Sequence, residues 1–471
     1  MQPMHLARPT RLIWGAVGAG ASLCPAIAHA AATPAGGPPL AWGIPFAGLL
    51  LSIGLLPVVA PRLWHRRMGL VAAGWVLALL LPQTLLAGPY VAAQAAWRAV
   101  LLDYLPFITL LLAMFTLGGG IEVAGGPWGS PGGNTLLLGI GTVLSGVIGP
   151  IGTSMVLIHP LLRANAHRRR KVHLVVFFIA LVSNAGGAVT PLGNPPLYIG
   201  LLRGVPYGWP LRHLALPLAL LATSLLLVFW LIDRHHAARN PPPAAPAKLR
   251  LRGAANAALL LVVVGTVLAQ SLRHPGTVAL FGATVGIARL AGMAVFLAVT
   301  ALSVWSTPAS LRAANMFSWA PMIEVATLFA AIFVTITPVL AMLAAPAGGP
   351  FAPLLHLASG PGGQPSPPAY FWLAGTLSAF LDNAPTYLVF FDLAGGDPAR
   401  LTGPLSRSLQ AISLGSVLFG ALTYIGNAPN MMVRSVAAHR GLRMPGFFGY
   451  MAWSCALLLP MFVALTLLFF R

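Results

Sequence analysis

The stretch Ser183-Asn184-Ala185-Gly186-Gly187-Ala188-Val189-Thr190-Pro191-Leu192-Gly193-Asn194-Pro195-Pro196 puts hydroxyls, carboxamides, glycines and prolines inside an apolar run from about 172 to 201. Glycine is costly in a helix interior, and proline removes a backbone donor and clashes with the preceding turn. A membrane helix therefore stops and restarts here. In hydrocarbon an unpaired backbone group is expensive, so such a break belongs where it is buried in protein or lines a wet cavity. The freed carbonyls, with Ser183, Asn184, Thr190 and Asn194, offer neutral oxygens that can replace the water around a small hard cation such as sodium. The restarting helix end offers partial positive charge, which suits an anion.

The pattern recurs 233 residues further on. Gly187, Ala188, Thr190, Gly193, Asn194 and Pro196 return as Gly420, Ala421, Thr423, Gly426, Asn427 and Pro429, and Ser183 returns as Ser416. Small residues alone are more often packing devices in lipid. A Thr-x-x-Gly-Asn-x-Pro string repeated at matched positions favours a site. Ahead of each break lies a short apolar hairpin with a polar turn, Gly149-Pro150-Ile151-Gly152-Thr153-Ser154 and Leu381-Asp382-Asn383-Ala384-Pro385-Thr386. Thr153 and Thr386 share the same offset. The flanking runs are too short for two spans each, so both are read as re-entrant.

Acids are rare enough to weigh singly. Asp382 sits at a hairpin turn within the apolar zone, where a carboxylate needs a cation or a proton. Sodium is expected at Asn184, Thr190, Asp382, Asn383, Thr423 and Asn427. Glu122 and Glu324, each flanked as Ile-Glu-Val, suit a proton path or a snorkelled structural role equally. Asp103, Asp233, Asp392 and Asp397 fall near predicted membrane edges and read as solvated or snorkelling. His159 reads as a helix-end residue, and Arg289 as an acid's partner or the mark of a helix end.

The elements that position these groups follow from composition. The 471 residues are 58% hydrophobic and 7% charged, with a mean hydropathy of +0.84. A soluble domain carries about 25% charged residues, so the chain is an all-α polytopic membrane protein in contact with the lipid bilayer. The +20 net charge lies mostly between apolar segments, which is positive-inside topology rather than a nucleic-acid surface. Cys24 and Cys455 support neither a disulfide framework nor a zinc site. Residues 1–31 read as a signal peptide, with Arg8 and Arg11 before an apolar run and a small-residue site at Ala28-His29-Ala30. A first transmembrane repeat is expected over 40–233, a proline-rich cytoplasmic linker over 234–253, and a second repeat over 254–470.

The expected spans are 40–60, 69–87, 104–123, 172–201 and 214–233, then 254–270, 277–305, 319–345, 407–436 and 445–470, with hairpins at 134–160 and 369–393. With both ends of the mature chain outside, the clusters Arg62/Arg66/Arg67 and Arg163 to Lys171 fall in the cytoplasm. Five crossings per half invert the second half relative to the first. Inverted repeats with interrupted helices are the signature of a secondary transporter.

At these motifs the sequence resembles the ion transporter superfamily, which groups divalent-anion/sodium symporters, citrate-metal transporters, arsenite efflux pumps and NhaD-type sodium/proton antiporters. The Ser183-Asn184-Ala185-Gly186-Gly187-Ala188 segment is similar to the Asn-Ala-Gly-Gly-Ala segment of NhaD-type antiporters. Leu381-Asp382-Asn383-Ala384-Pro385-Thr386 is similar to their Asp-Asn-x-Pro turn. Such sequences are also grouped with citrate transporters. The resemblance spans 40–470 and implies two inverted repeats, a homodimer and one part moving against a scaffold. Asn194 stands where NhaD-type chains tend to place an acid, and the Ser-Asn-Thr tripeptide of carboxylate symporters is absent from both tips.

The leading expectation is sodium:proton antiport across a bacterial inner membrane, with no cofactor beyond sodium and/or a proton as coupling ion. The alternative is sodium- or proton-coupled symport of citrate or a similar carboxylate or oxyanion. A channel or a non-transport membrane protein is the second alternative. An enzyme is not expected, because neither His-Glu-x-x-His nor Gly-x-Ser-x-Gly occurs.

Overall fold

The computed structural model describes residues 39–237, 247–272, 276–343, 349–360 and 363–471. The signal-peptide reading of 1–31 and the Pro-rich part of the linker lie outside these residues. In chain order the helices are α1 (Ile44–Val59), α2 (Pro61–Ala87), α3 (Pro89–Ala99), α4 (Leu105–Gly118), α5 (Pro131–Ala164), α6 (Val172–Leu181), α7 (Pro195–Leu202), α8 (Trp209–Ala237), α9 (Ala254–Leu272) and α10 (Ile287–Ser306). There follow α11 (Ala309–Ala314), α12 (Ala320–Thr335), α13 (Thr337–Leu343), α14 (Ala352–Ala358), α15 (Pro367–Phe380), α16 (Asn383–Leu393), α17 (Pro398–Thr402), α18 (Ser406–Leu418), α19 (Ala428–His439) and α20 (Phe447–Phe469).

Among the described residues nine helical segments are long and apolar enough to cross a membrane, counting α5, which folds back on itself, as one. A tenth is the pair α12 and α13, bent by 44°. The chain is a multi-pass membrane protein. Its layering follows from burial. The apolar window of Val172–Val189 is 89% buried, against 17% for Arg66–Ala87 and 22% for both Ala254–Leu272 and Phe447–Phe469. The interrupted helix is thus the centre, and outer helices shield its polar atoms from lipid. This is the arrangement that makes a broken helix tolerable in hydrocarbon.

α5 is two helices folded back on each other. Asn134 Nδ2 reaches Asn165 Oδ1 at 3.0 Å, and Asn165 Nδ2 returns to Asn134 Oδ1 at 2.9 Å. In a straight helix those residues would lie about 46 Å apart. The turn is at Gly149, whose φ of 73° and ψ of 158° belong to a region open essentially to glycine alone. A second turn, at Leu381 and Asp382, joins α15 to α16.

Two expected spans begin or end elsewhere. The 104–123 helix stops at Gly118, where Gly118-Gly119-Gly120 ends its ladder. Glu122–Gly126 then forms strand β1, antiparallel to strand β2 (Ala247–Arg252), so the far part of the linker is extended and paired. Upstream the helical path runs back to Pro89 through a π-helical turn at Val100–Tyr104. The 277–305 span opens instead with strands β3 (Thr277–Leu280) and β4 (Ala283–Gly286), joined through Phe281 and Gly282 at φ 48° and 78°. Both central residues at positive φ make a hairpin turn of the type that matches strand twist. Hydropathy alone does not separate such an apolar, β-branched run from a helix.

Candidate functional site

Each interrupted crossing is built the same way. α6 unwinds into a short 3-10 turn, Ala185–Val189, and restarts as α7; α18 unwinds through Phe419–Leu422 and restarts as α19. Thr190 (φ −136°, ψ 159°) matches Thr423 (−131°, 164°), and Asn194 (−154°, 140°) matches Asn427 (−155°, 135°). Thr190 Oγ1 donates to Gly146 O at 2.5 Å and accepts from Leu192 N and Gly193 N. Thr423 Oγ1 donates to Ala379 O at 2.5 Å and accepts from Gly426 N. Gly146 and Ala379 stand at the same 233-residue offset as the threonines. Each hydroxyl thus ties a break to the hairpin before it while satisfying orphan backbone groups. The glycines allow the fold-back. A Cβ on Gly187 would sit 2.3 Å from Gly193 O, and one on Gly420 would sit 3.0 Å from Gly426 O.

The two breaks are stitched together by buried carboxamides. Asn184 Nδ2 donates to Ile179 O at 2.8 Å and to Asn430 Oδ1 at 2.9 Å. Asn427 Nδ2 donates to Ser183 O and Asn184 Oδ1, each at 3.0 Å. Asn430 Nδ2 closes the net on Gly420 O and Thr423 O. Every member is buried, and a fully satisfied network of this kind specifies one arrangement. The hairpins join it through Ser154 Oγ, 3.0 Å from Ser183 Oγ, and through Asn383 Nδ2, which donates to Asn194 Oδ1 at 2.8 Å.

Gly149, Asn194, Asp382 and Asn427 meet along one cleft of about 50 Å³, closed on its other sides by α4 and α12 through Phe107, Leu110, Met114, Val325 and Phe329. At roughly 10–15 Å³ per water-sized centre, that volume holds a few waters. Pro150, Pro195 and Ala428 also line it. The N-terminal ends of the returning half of α5 (150–164), of α7 and of α19 therefore face the cleft, as does Asp382, the N-cap of α16. Among the described residues lining it there is one carboxylate, Asp382, and no Lys, Arg or His. The Asp382 side chain accepts from Ala384 N at 3.3 Å, and its backbone carbonyl accepts from Thr386 Oγ1 at 3.0 Å. Asn194 Nδ2, Asn383 Oδ1 and Thr153 Oγ1 are buried with no hydrogen-bond partner among the described residues.

The chain matches, over residues 36–470, the family described as "Putative citrate transport". It belongs to that family. A comparison with curated proteins found no match. Membership makes it a citrate-transporter-like membrane protein.

Of the residues singled out in the sequence, Asn194, Asp382 and Asn427 line the cleft. Ser183, Asn184, Thr190 and Thr423 are engaged in the stitching around it, and Thr190 Oγ1 has its donor and both acceptor positions filled. Glu122 lies in β1, its Oε2 3.3 Å from Arg252 Nη1. Glu324 is exposed one turn from the start of α12. Neither glutamate lines the cleft. Asn430 was missed as a site residue; its counterpart by offset is Leu197, so the repeat pattern passed over it.

Arg289 marks a helix end. Its guanidinium donates to Leu102 O in the π-helical turn and to Leu202 O at the end of α7, both at 3.1 Å. Asp233 is not solvated. It is fully buried, paired with Arg168, and also contacts His173 Nε2 at 2.9 Å and Asn134 Nδ2 at 3.0 Å. Helices α5, α6 and α8 meet there, and a buried Arg168 supplies the countercharge that sequence order hid.

Proposed function

We propose that the protein is an ion-coupled secondary carrier of citrate or a similar carboxylate, with the cleft between the two breaks as its binding site. The observation that carries this is the convergence of three helix N-termini, those of the returning half of α5, of α7 and of α19, on a cleft with no cationic side chain among its described lining residues. Partial charges at helix ends attract carboxylates without an arginine clamp. Asn194 Nδ2, a buried donor without a partner, is the side chain best suited to a cargo carboxylate. Asp382 takes the coupling ion, proton or sodium, with Asn383 Oδ1 beside it. A volume of about 50 Å³ is small for a tricarboxylate, so loading requires a wider state of the cleft. That fits alternating access, in which the two hairpins and two breaks form an inverted pair of repeats moving against α1 to α4 and α9 to α12. We further propose a homodimer in a bacterial inner membrane with both chain ends outside.

A second reading, sodium:proton antiport, is favoured by one observation. The single carboxylate in the cleft is a group for which proton and sodium compete. One assay separates the two. In proteoliposomes, labelled citrate should accumulate when an inward sodium or proton gradient is imposed, and Asp382→Asn should abolish gradient-driven accumulation while leaving citrate binding. Asparagine keeps the N-cap, so the hairpin tip survives the change. Collapse of a pH gradient by sodium alone, with no citrate accumulation, overturns citrate carriage in favour of antiport.

A further inference from the structure

A second cavity, of about 360 Å³, lies between the end of the first hairpin and the end of the second broken crossing. Arg163, Lys171, His439 and Arg440 line it over an apolar floor of Leu162 and Leu442, and no acid is among its described lining residues. The hydrogen bonds these four groups make go to neutral atoms. Arg163 Nη2 donates to Val123 O at 3.4 Å, Lys171 Nζ to Ala166 O at 3.1 Å, and Arg440 Nη2 approaches His159 Nδ1 at 3.4 Å. His439 Nδ1 lies 2.8 Å from Ser435 O.

None of the chain's seven acids lines the cavity, and five of them are committed elsewhere. Asp233 pairs with Arg168, Asp392 with Arg203 and Glu122 with Arg252; Asp397 caps α17 and Asp382 caps α16. Burial and the neighbouring Arg163 guanidinium together push the Arg440 pKa below its ordinary value. Arg163, Lys171 and Arg440 thus share one cavity lining with no carboxylate among its described residues.

We propose that this cavity binds a phosphate-bearing anion, which ties the first half of the chain to the second at this face. Two guanidinium forks match phosphate oxygens, the lysine adds a point charge, and the leucine floor accepts a glycerol or ribose carbon. The anion is an acidic lipid headgroup or a soluble phosphate, and both satisfy the same donors. This site is separate from the cleft and stands whether or not citrate is the cargo.

The test is thermal unfolding of the full chain in three settings: phosphatidylcholine nanodiscs, the same discs with inorganic pyrophosphate, and discs containing phosphatidylglycerol. An upward shift of about 2–4 °C in either anionic arm is expected. The pyrophosphate arm marks a soluble ligand, and the phosphatidylglycerol arm marks a lipid. Arg163→Gln with Arg440→Gln should remove the shift, whereas Arg66→Gln with Arg67→Gln, an exposed basic pair on α2, should keep it. Arg440→Glu guards against a folding failure. It places a carboxylate beside Arg163, so it should raise the unfolding temperature without added anion and abolish the anion response. No shift in either arm, equal loss in both double variants, or a full response in Arg440→Glu overturns the proposal.

Discussion

Residues of one type do different work in this molecule, and the difference lies in how many partners each has. Asn184 takes part in three hydrogen bonds, two of which, to Asn430 Oδ1 and from Asn427 Nδ2, hold the two breaks together, whereas Asn194 makes one, from Asn383, and keeps its Nδ2 free. Removing a partner from a buried polar group costs about 1–3 kcal/mol for each group left bare. Asn184→Ala strands Ile179 O, Asn430 Oδ1 and Asn427 Nδ2, so it should lower the unfolding temperature sharply and deplete folded protein on size exclusion. Asn194→Ala leaves only Asn383 Nδ2 bare, so it should cost about 1–3 kcal/mol, clearly less than Asn184→Ala, and should also lose citrate affinity, measured as a rise in KM for uptake. Equal stability losses in the two variants would contradict this division of labour.

Elements inherit their shape from a few backbone positions. The first hairpin reverses at Gly149, and the fold-backs of the breaks depend on Gly187 against Gly193 and on Gly420 against Gly426. Forcing a side chain into a glycine-only backbone region costs of order 1–3 kcal/mol. Gly149→Ala should destabilise by about that amount. It also displaces the tip that lines the cleft, so uptake should fall by more than stability alone accounts for. Comparing uptake per folded molecule, quantified by fluorescence-detected size exclusion, checks this. The turns at Gly149 and at Leu381 and Asp382, and the two unwound segments, were legible in the sequence, because glycine, proline and polar turns punctuate apolar runs locally. The strands at Glu122–Gly126 and Thr277–Leu280 were not, since an apolar strand and an apolar helix segment have the same hydropathy.

For the whole molecule, the outer helices form a sleeve around a polar centre, and one buried ion pair pins the sleeve to the hairpin. Asp233 on α8 meets Arg168, between α5 and α6, in full burial. Breaking a buried pair by removing one partner costs about 3–5 kcal/mol, while replacing both by apolar groups is often neutral. Arg168→Met and Asp233→Leu should each unfold the protein at markedly lower temperature, and the double variant should recover part of the loss in a thermal double-mutant cycle, the remainder reflecting His173 Nε2 and Gly129 O left without these partners. Additive losses would show that the two residues act independently.

By itself the sequence determined the class and the seams: a polytopic membrane protein, interrupted at matched places by the same Thr-x-x-Gly-Asn-x-Pro string. Those properties come from hydropathy and from residues whose backbone preferences act within a turn or two. The tertiary structure decided which polar side chains are committed to the fold and which are left facing the cleft. Asn184 and Asn430 are separated by 246 positions, Asn134 and Asp233 by 99, and no local pattern carries such pairings. They follow from how helices pack around the breaks, because a buried polar atom in hydrocarbon must find its partner wherever the fold brings one.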